Sequence, residues 1–94
     1  MLNKLNPLLH SELRLGIMSI LVGIESSDFT YIKKETQATS GNISVQLDKL
    51  VKANYITITK TFKGRKPCTT CAITKEGHQA FMKYFETLKT YFPE

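Results

Sequence analysis

The sequence predicts a mainly helical α+β domain. Three observations lead to this fold class: the chain length, the hydrophobic periodicity and one change in that periodicity. The chain has 94 residues, a length that suits one domain, so we expect residues 1–94 to fold as a single unit. Apolar residues recur at helical spacing in the first half and again near the C-terminus, whereas the segment between them alternates with a period of two. The predicted order is three helices, a β-hairpin and a fourth helix.

The first half of the chain carries the pattern of three helices preceded by an apolar arm. Leucines interrupted by asparagine and proline make residues 1–10 an arm rather than a regular helix. The helices are predicted over 12–23, 29–36 and 41–54. A polar residue that favours the N-cap position precedes each of them: Ser11, Asp28 and Ser40. Residues 25–28 are interpreted as a polar break, and residues 37–39 as a tight turn.

From Tyr55 the period changes to two, which indicates a β-hairpin. The β-branched residues of the alternating segment favour strand structure. The strands are predicted over 55–61 and 69–73, with the turn at 62–67. Glycine and proline punctuate that turn. The hairpin tip, residues 60–68, therefore extends from the rest of the domain.

The last helix is predicted over 75–91 with Thr74 as its N-cap, and its aromatic stripe continues to Phe92. This stripe and the arm carry more apolar surface than one small core needs, which indicates an association surface over 1–10 and 75–92. The alternative is that the last helix only folds back on its own core. The candidate interface residues are Leu5, Leu8, Leu9, Phe81, Tyr84, Phe85, Leu88, Tyr91 and Phe92.

Positive charge is concentrated in one part of the chain. The net charge is +5, yet residues 1–36 and 75–94 each sum to zero. Residues 60–66 alone contribute +4, and residues 37–59 contribute the remaining +1. A basic patch confined to one stretch is expected of a protein that binds a polyanion. A solvated basic loop is the other interpretation of the charge alone.

A short helix, a tight turn and a second helix form a helix-turn-helix, whose second helix lies in the DNA major groove. Here a hairpin with a basic tip follows, which makes the predicted fold a winged helix-turn-helix. Small polar side chains near the start of helix 41–54 allow close approach to base edges; Asn42 suits adenine and Val45 the thymine methyl. The candidate DNA-binding residues are Thr39, Ser40, Asn42, Ser44, Val45, Lys49, Lys63, Arg65 and Lys66.

Several sequence blocks resemble the winged-helix domain of small MarR-like transcriptional regulators. The resemblance covers positions 6–85 and rests on the blocks 6–11, 13–15, 41–45, 47–50, 55–56, 60–67, 69–70 and 73–77. The resemblance implies a homodimer that holds two winged helices over a pseudopalindromic operator of double-stranded DNA. It also implies that any small-molecule effector, whose identity stays unknown, binds at the dimer interface. The family usually has a basic residue where Cys68 stands and an aromatic one where Cys71 stands, so one wing charge is expected to be missing.

Cys68 and Cys71 form a CxxC motif, which leaves open a thiol- or metal-responsive regulator. A zinc site needs four ligands, and the other candidate ligands, His10 and His78, are distant in sequence. Residues three apart on a strand also point to opposite faces, and Cys71 is expected to be a buried small hydrophobe. We therefore expect no metal and no cofactor.

Composition narrows the remaining classes of function. The apolar stretches are much shorter than the ~20 residues that span a bilayer, and no export signal opens the chain, so we expect a cytoplasmic protein without membrane contact. Isolated histidines and the lack of a glycine-rich phosphate loop argue against an enzyme. A winged helix that binds protein or RNA stays open as an alternative. The combination of a basic hairpin tip with a small, polar helix face favours DNA over protein or RNA as the binding partner.

Overall fold

A computed structural model describes residues 2–92 and contains four helices and a three-stranded antiparallel sheet. The elements in chain order are α1 (Glu12–Ile24), β1 (Ser26–Asp28), α2 (Phe29–Thr36), α3 (Ser40–Lys52), β2 (Ile56–Lys63), β3 (Lys66–Ile73) and α4 (Lys75–Lys89). This arrangement confirms the predicted fold class. The domain expected over residues 1–94 also includes Met1, Pro93 and Glu94, which lie outside the described residues.

The helix starts follow the predicted capping residues with one exception. Ser11, Asp28 and Thr74 each accept a hydrogen bond from the backbone N–H three residues later, as expected of an N-cap. Ser40 is the wrong choice for α3. Thr39 has the extended backbone of an N-cap, and its Oγ1 accepts from the N–H three residues later at 3.1 Å. Ser40 is already the first helical residue, a shift that adjacent hydroxyl residues conceal in the sequence.

Two helices end earlier than predicted. Helix α3 ends at Lys52 instead of residue 54, because Asn54 adopts a left-handed conformation with φ 63° that breaks the helical repeat. Helix α4 ends at Lys89, and residues 90–91 form a turn instead of continuing the helix. Phe92 therefore lies beyond the last helical turn.

Strand β1 is absent from the sequence prediction because the segment is short and polar. Its three residues, interpreted as a polar break, pair antiparallel with β3, and Ser27 lies opposite Cys71. The strand order is β1-β3-β2. Three residues cannot show a period of two, so their strand structure comes from pairing with β3. Asp28 ends β1 and also caps α2, so the sheet leads directly into the helix-turn-helix.

The core includes side chains from the arm, all four helices and the sheet. The buried apolar residues are Leu9, Ile17, Met18, Leu21, Ile32, Ile43, Leu47, Leu50, Ile56, Cys71 and Tyr84. The sequence pattern assigns Leu9 and Tyr84 to contacts with a partner subunit. Both are buried inside a single chain and have almost no surface left for a partner, so the structure places them in the core of the subunit.

Hydrogen bonds hold the arm against the domain at several points. The hydroxyl of Tyr84 lies 2.9 Å from Nδ1 of His10. Further along the arm, Nδ2 of Asn6 donates to the hydroxyl of Tyr55 at 2.9 Å. The arm is thus part of the subunit's own fold.

Candidate nucleic-acid interface

Helices α2 and α3 and the turn between them form the helix-turn-helix. Gln37 ends α2 in the left-handed region with φ 57°, which turns the chain toward α3 within three residues. Ile43, Leu47 and Leu50 are buried and fix one face of α3 against the core, as their spacing predicts. The rest of α3 is therefore mostly available to solvent.

The structure places the predicted residues of this element on its exposed surface. The exposed positions are Thr39, Ser40, Asn42, Ser44, Val45 and Lys49. Val45 follows the buried Ile43 by two positions, about 200° around the helix, so it points away from the core. Its side chain is 52% exposed and therefore accessible to a ligand.

The first turn of α3 offers groups that suit a phosphate. It contains no acidic residue, and its exposed residues Ser40, Gly41 and Asn42 are small. The N–H groups and the partial positive charge of a helix N-terminus attract anions when nothing negative competes. This end of α3 can therefore approach the edge of a nucleic-acid groove closely.

Sequence reasoning missed a hydrogen-bond network behind this surface. Oδ1 of Asn42 accepts from Nε2 of Gln46 at 2.9 Å, and Oε1 of Gln46 accepts from Nη1 of Arg14 in α1. Nε of Arg14 in turn donates to the carbonyl oxygen of Leu8 in the arm at 2.6 Å. The spacing of Asn42 and Gln46 on one helix is visible in the sequence, but the contact with α1 depends on the tertiary fold.

The hairpin is longer and its turn tighter than predicted. The strands stay paired up to Lys63 opposite Lys66, so the turn contains Gly64 and Arg65 instead of residues 62–67. Gly64 has φ 64° at the first central position, where a type II′ hairpin turn requires a positive φ. Pro67 has no backbone N–H to donate, so it is tolerated only at a sheet edge. Strand β1 pairs with β3 only as far as Thr70, so β3 is an edge strand on that side at Pro67.

The positions of the basic residues at the hairpin tip destabilise the hairpin. The ladder places Lys63 directly opposite Lys66, and like charges at such a position destabilise a hairpin. Arg65 occupies the turn beside them, and all three predicted wing residues are exposed. A polyanion would neutralise this repulsion.

The opposite face of the tip carries residues that the sequence analysis did not select. Alternation places Lys60 and Phe62 on the face that is buried at the base of the hairpin. At the tip this face lies beyond the core, so Phe62 is 75% exposed and pairs only with Pro67 across the ladder. An aromatic residue among several cations can contact the sugars or bases of a nucleic acid.

The other candidate interface residues fall into two groups. Leu5, Leu8, Phe81 and Leu88 are half-buried and pack against the subunit's own core. Phe85, Tyr91 and Phe92 are exposed. The hydroxyl of Tyr91 donates to the carbonyl oxygen of Asn3 at 2.6 Å, so the arm also lies along the end of α4. Only the second group presents a substantial apolar surface.

The two cysteines lie on opposite faces of β3, as expected. Cys71 is buried and Cys68 is partly exposed, and the pairing between them is regular. Burial, with a smaller contribution from the Asp28 carboxylate, raises the pKa of the Cys71 thiol from 9.0 to about 11. Among residues 2–92, no group of three His, Cys, Asp or Glu side chains could hold a metal ion.

We expect a thiol-alkylating reagent at pH 8 to modify Cys68 in the folded protein and to leave Cys71 unmodified until the protein unfolds. The buried, protonated Cys71 thiol is a poor nucleophile. Mass spectrometry of Cys68→Ser and Cys71→Ser variants assigns each site, and rapid labelling of the Cys68→Ser variant would contradict the prediction. The pKa of Cys71 is higher in the folded than in the unfolded protein. Its contribution to the stability of the folded state is therefore fully present below pH 9 and is lost as the pH rises toward 11.

A helix-turn-helix followed by a hairpin with a basic tip defines a winged helix of the nucleic-acid-binding type. A family model described as "Winged helix DNA-binding domain" matches residues 13–92. The chain belongs to this family, and solved structures of transcriptional regulators, a MarR protein among them, share its fold. In the described part of the chain, every helix is too short or too polar to cross a membrane.

Several known proteins are similar to this chain over most of its length. An uncharacterized protein of Methanocaldococcus jannaschii is 34% identical over 76 residues, which is 80% of this chain and 82% of that protein. The transcriptional regulator homologue of Pyrococcus horikoshii OT3 is 28% identical with a TM-score of 0.83, over 88% of this chain and 82% of the other. A MarR mutant from E. coli complexed with operator DNA shares the fold at 13% identity and a TM-score of 0.74, over 87% and 58% of the two chains.

Proposed function

We propose that this protein is a sequence-specific double-stranded DNA-binding transcriptional regulator that acts as a homodimer. Helix α3 reads the major groove, and the hairpin tip, residues 60–68, lies on the phosphate backbone or in the minor groove. The observation that carries this proposal is that one domain combines a small, polar N-terminal turn of α3 with a hairpin tip in which Lys63 lies opposite Lys66.

The charge arrangement supports DNA as the partner. Of the net charge of +5, +4 comes from residues 60–66, which form an exposed projection instead of covering the core. Folding gains nothing from this concentration of charge, whereas phosphate contacts release condensed counterions and favour binding. A relative in the MarR fold was crystallised with operator DNA, which is consistent with this use of the same architecture.

Exposed apolar side chains at the end of α4 support the homodimer. Phe85 and Phe92 are 48% and 66% exposed. Apolar residues clustered on a surface mark an association site more often than isolated ones do. A two-fold dimer would place one α3 in each of two half-sites about one helical turn apart, which requires a pseudopalindromic operator.

We expect the double variant Arg65→Ala/Lys66→Ala to weaken DNA binding for every sequence. Each lost phosphate contact lowers the slope of log K against log salt concentration by about 0.9. Fluorescence anisotropy between ~50 and ~200 mM salt measures this slope. The variant Lys75→Ala/Lys83→Ala loses the same charge from α4 and is expected to keep the slope. An unchanged slope for the hairpin variant would exclude the wing from the interface.

Selection from a random pool of duplexes, combined with the mass of the complex, tests the whole proposal. We expect an enriched two-fold symmetric site bound by two chains. Enrichment of no duplex sequence would contradict sequence-specific DNA binding, and a complex with one chain would contradict the homodimer.

A further inference from the structure

We propose that Arg14 sets the hydrogen-bond polarity with which α3 reads DNA. It does so by orienting the side-chain amides of Gln46 and Asn42, so that Asn42 presents its NH2 group to the major groove. The proposal rests on the proposed function, because it names the base edge that one residue of α3 recognises. Arg14 is a positioning residue here and does not itself touch the bases.

The direction of every hydrogen bond in this network follows from the chemistry of arginine. A guanidinium group can only donate, so the Gln46 atom that faces Arg14 must be Oε1. The other end of that amide, Nε2, can also only donate, and it faces Asn42 at 2.9 Å. The Asn42 atom that accepts is therefore Oδ1, and Nδ2 of this exposed residue takes no part in the contact with Gln46.

Arg14 is itself held in place by protein groups. Its Nε donates to the carbonyl oxygen of Leu8 at 2.6 Å, and its backbone N–H faces the N-cap oxygen of Ser11. The side chain is half-buried between α1, the arm and α3. The orientation of the two amides is thus fixed before any DNA is bound, which lowers the entropy lost on binding.

This geometry changes the base preference expected for Asn42. A bidentate contact with adenine uses an asparagine oxygen and nitrogen together. One of the two lone pairs of Oδ1 is engaged by Gln46, so Nδ2 is the stronger hydrogen-bonding group that Asn42 offers to a base. An outward donor matches bases that present acceptors in the major groove, such as guanine N7 and O6 or thymine O4, and disfavours the amino group of cytosine.

The substitution Gln46→Glu tests the polarity directly. A carboxylate still accepts from Arg14 but can only accept from Asn42, so the Asn42 amide must turn over to donate Nδ2 to it. Oδ1 then faces the groove and favours a base that presents a donor, such as cytosine N4 or adenine N6. We expect the ratio of acceptor- to donor-presenting bases at one position per half-site to invert, by about tenfold for a single good contact.

Base frequencies from selection on a random duplex pool measure this ratio. They are independent of a uniform fall in affinity caused by the added negative charge. The variant Lys49→Gln changes the net charge by the same amount on the same helix and leaves the amide pair intact. We expect it to bind more weakly with the wild-type base preference at that position.

A second variant, Arg14→Met, removes the donor that orients the pair while retaining an unbranched apolar stem. Both amides are then free to rotate, so we expect the preference at the same position to flatten instead of inverting. Thermal unfolding of each variant verifies that it is folded before selection. An identical consensus for the wild type, Gln46→Glu and Arg14→Met would overturn the proposal.

A measurement without DNA separates this proposal from the proposed function. In NMR spectra of the free wild-type protein, we expect the Gln46 side-chain NH2 to exchange slowly and the Asn42 NH2 to exchange as fast as in an exposed amide. The Arg14→Met variant should lose the difference. Fast exchange at Gln46 in the wild type would overturn the orientation, whereas a wild-type protein that enriches no DNA would overturn DNA binding itself.

Discussion

Replacing Gly77 by alanine is expected to destabilise the domain by roughly 3 kcal/mol or more, a large part of the stability of a chain this size. Gly77 is buried in the first turn of α4. A Cβ atom there would lie 2.1 Å from the backbone oxygen of Tyr55, and 2.9 and 3.0 Å from two further backbone atoms of the same residue. Backbone atoms cannot rotate away as a flexible side chain can, so the helix would have to move.

That movement would also break the contacts that hold α4 to the end of α3. The N–H of Thr74 donates to the same Tyr55 oxygen at 3.0 Å, and Oγ1 of Thr74 donates to the carbonyl oxygen of Asn54 at 2.6 Å. We expect the midpoint of thermal unfolding to fall by about 12–24 °C, since each kcal/mol shifts a domain of this size by about 4–8 °C.

The substitution Gly16→Ala provides the matched control. Gly16 also lies in a helix, but a Cβ atom at this position would have no neighbour within 4 Å. Alanine there is expected to stabilise by about 0.5–1 kcal/mol, because it restricts the unfolded chain and favours the helix. Equal midpoints for the two variants would show that the close approach of α4 to Tyr55 does not constrain the fold.

Shortening Leu9 to alanine is expected to cost about 2–5 kcal/mol, the range for truncating a buried leucine. The side chain is fully buried although it belongs to the N-terminal arm. Chemical denaturation measures the loss. Leu2→Ala is the same change in the same arm at a side chain that is 59% exposed, and it is expected to leave the stability of the subunit nearly unchanged.

The dependence on protein concentration distinguishes a core residue from an interface residue. If Leu9 packs within its own subunit, the stability difference between wild type and Leu9→Ala is the same at every concentration. If its role were in dimer contact, the difference would disappear at concentrations where the subunits are dissociated, because a partner stabilises the fold only while it is bound. A concentration-dependent difference for Leu9→Ala would therefore contradict the burial of Leu9 in the core of its own subunit.

The sequence predicts the features that depend on local patterns. Hydrophobic spacing locates all four helices, and short polar residues mark three of the four N-caps correctly. Features that depend on pairing between residues far apart in the sequence cannot be predicted in this way. Strand β1 takes its structure from β3, and Arg14 reaches Gln46 across 32 positions of the chain. No local pattern contains that information.

The burial of Leu9 and Tyr84 within one subunit is a further feature that the sequence does not predict. Leucines in an irregular arm and aromatic residues on the last helix exceed what a small core is expected to hold. The two segments bury part of each other instead, as the contact between His10 and Tyr84 illustrates. The exposed Phe85 and Phe92 lie where neither the arm nor the core reaches.

Strand β1 has a consequence for the shape of duplex that the domain accepts. It joins the start of α2 to β3, the strand that carries one side of the hairpin, so the helix-turn-helix and the wing share one hydrogen-bonded frame. The separation between α3 and the hairpin tip is then fixed by the fold. In the proposed complex, a duplex has to match that separation with a major groove wide enough for a helix, which B-form DNA offers and the deep, narrow major groove of A-form RNA does not. If the proposal holds, the frame selects the helical form of the nucleic acid before any base is read.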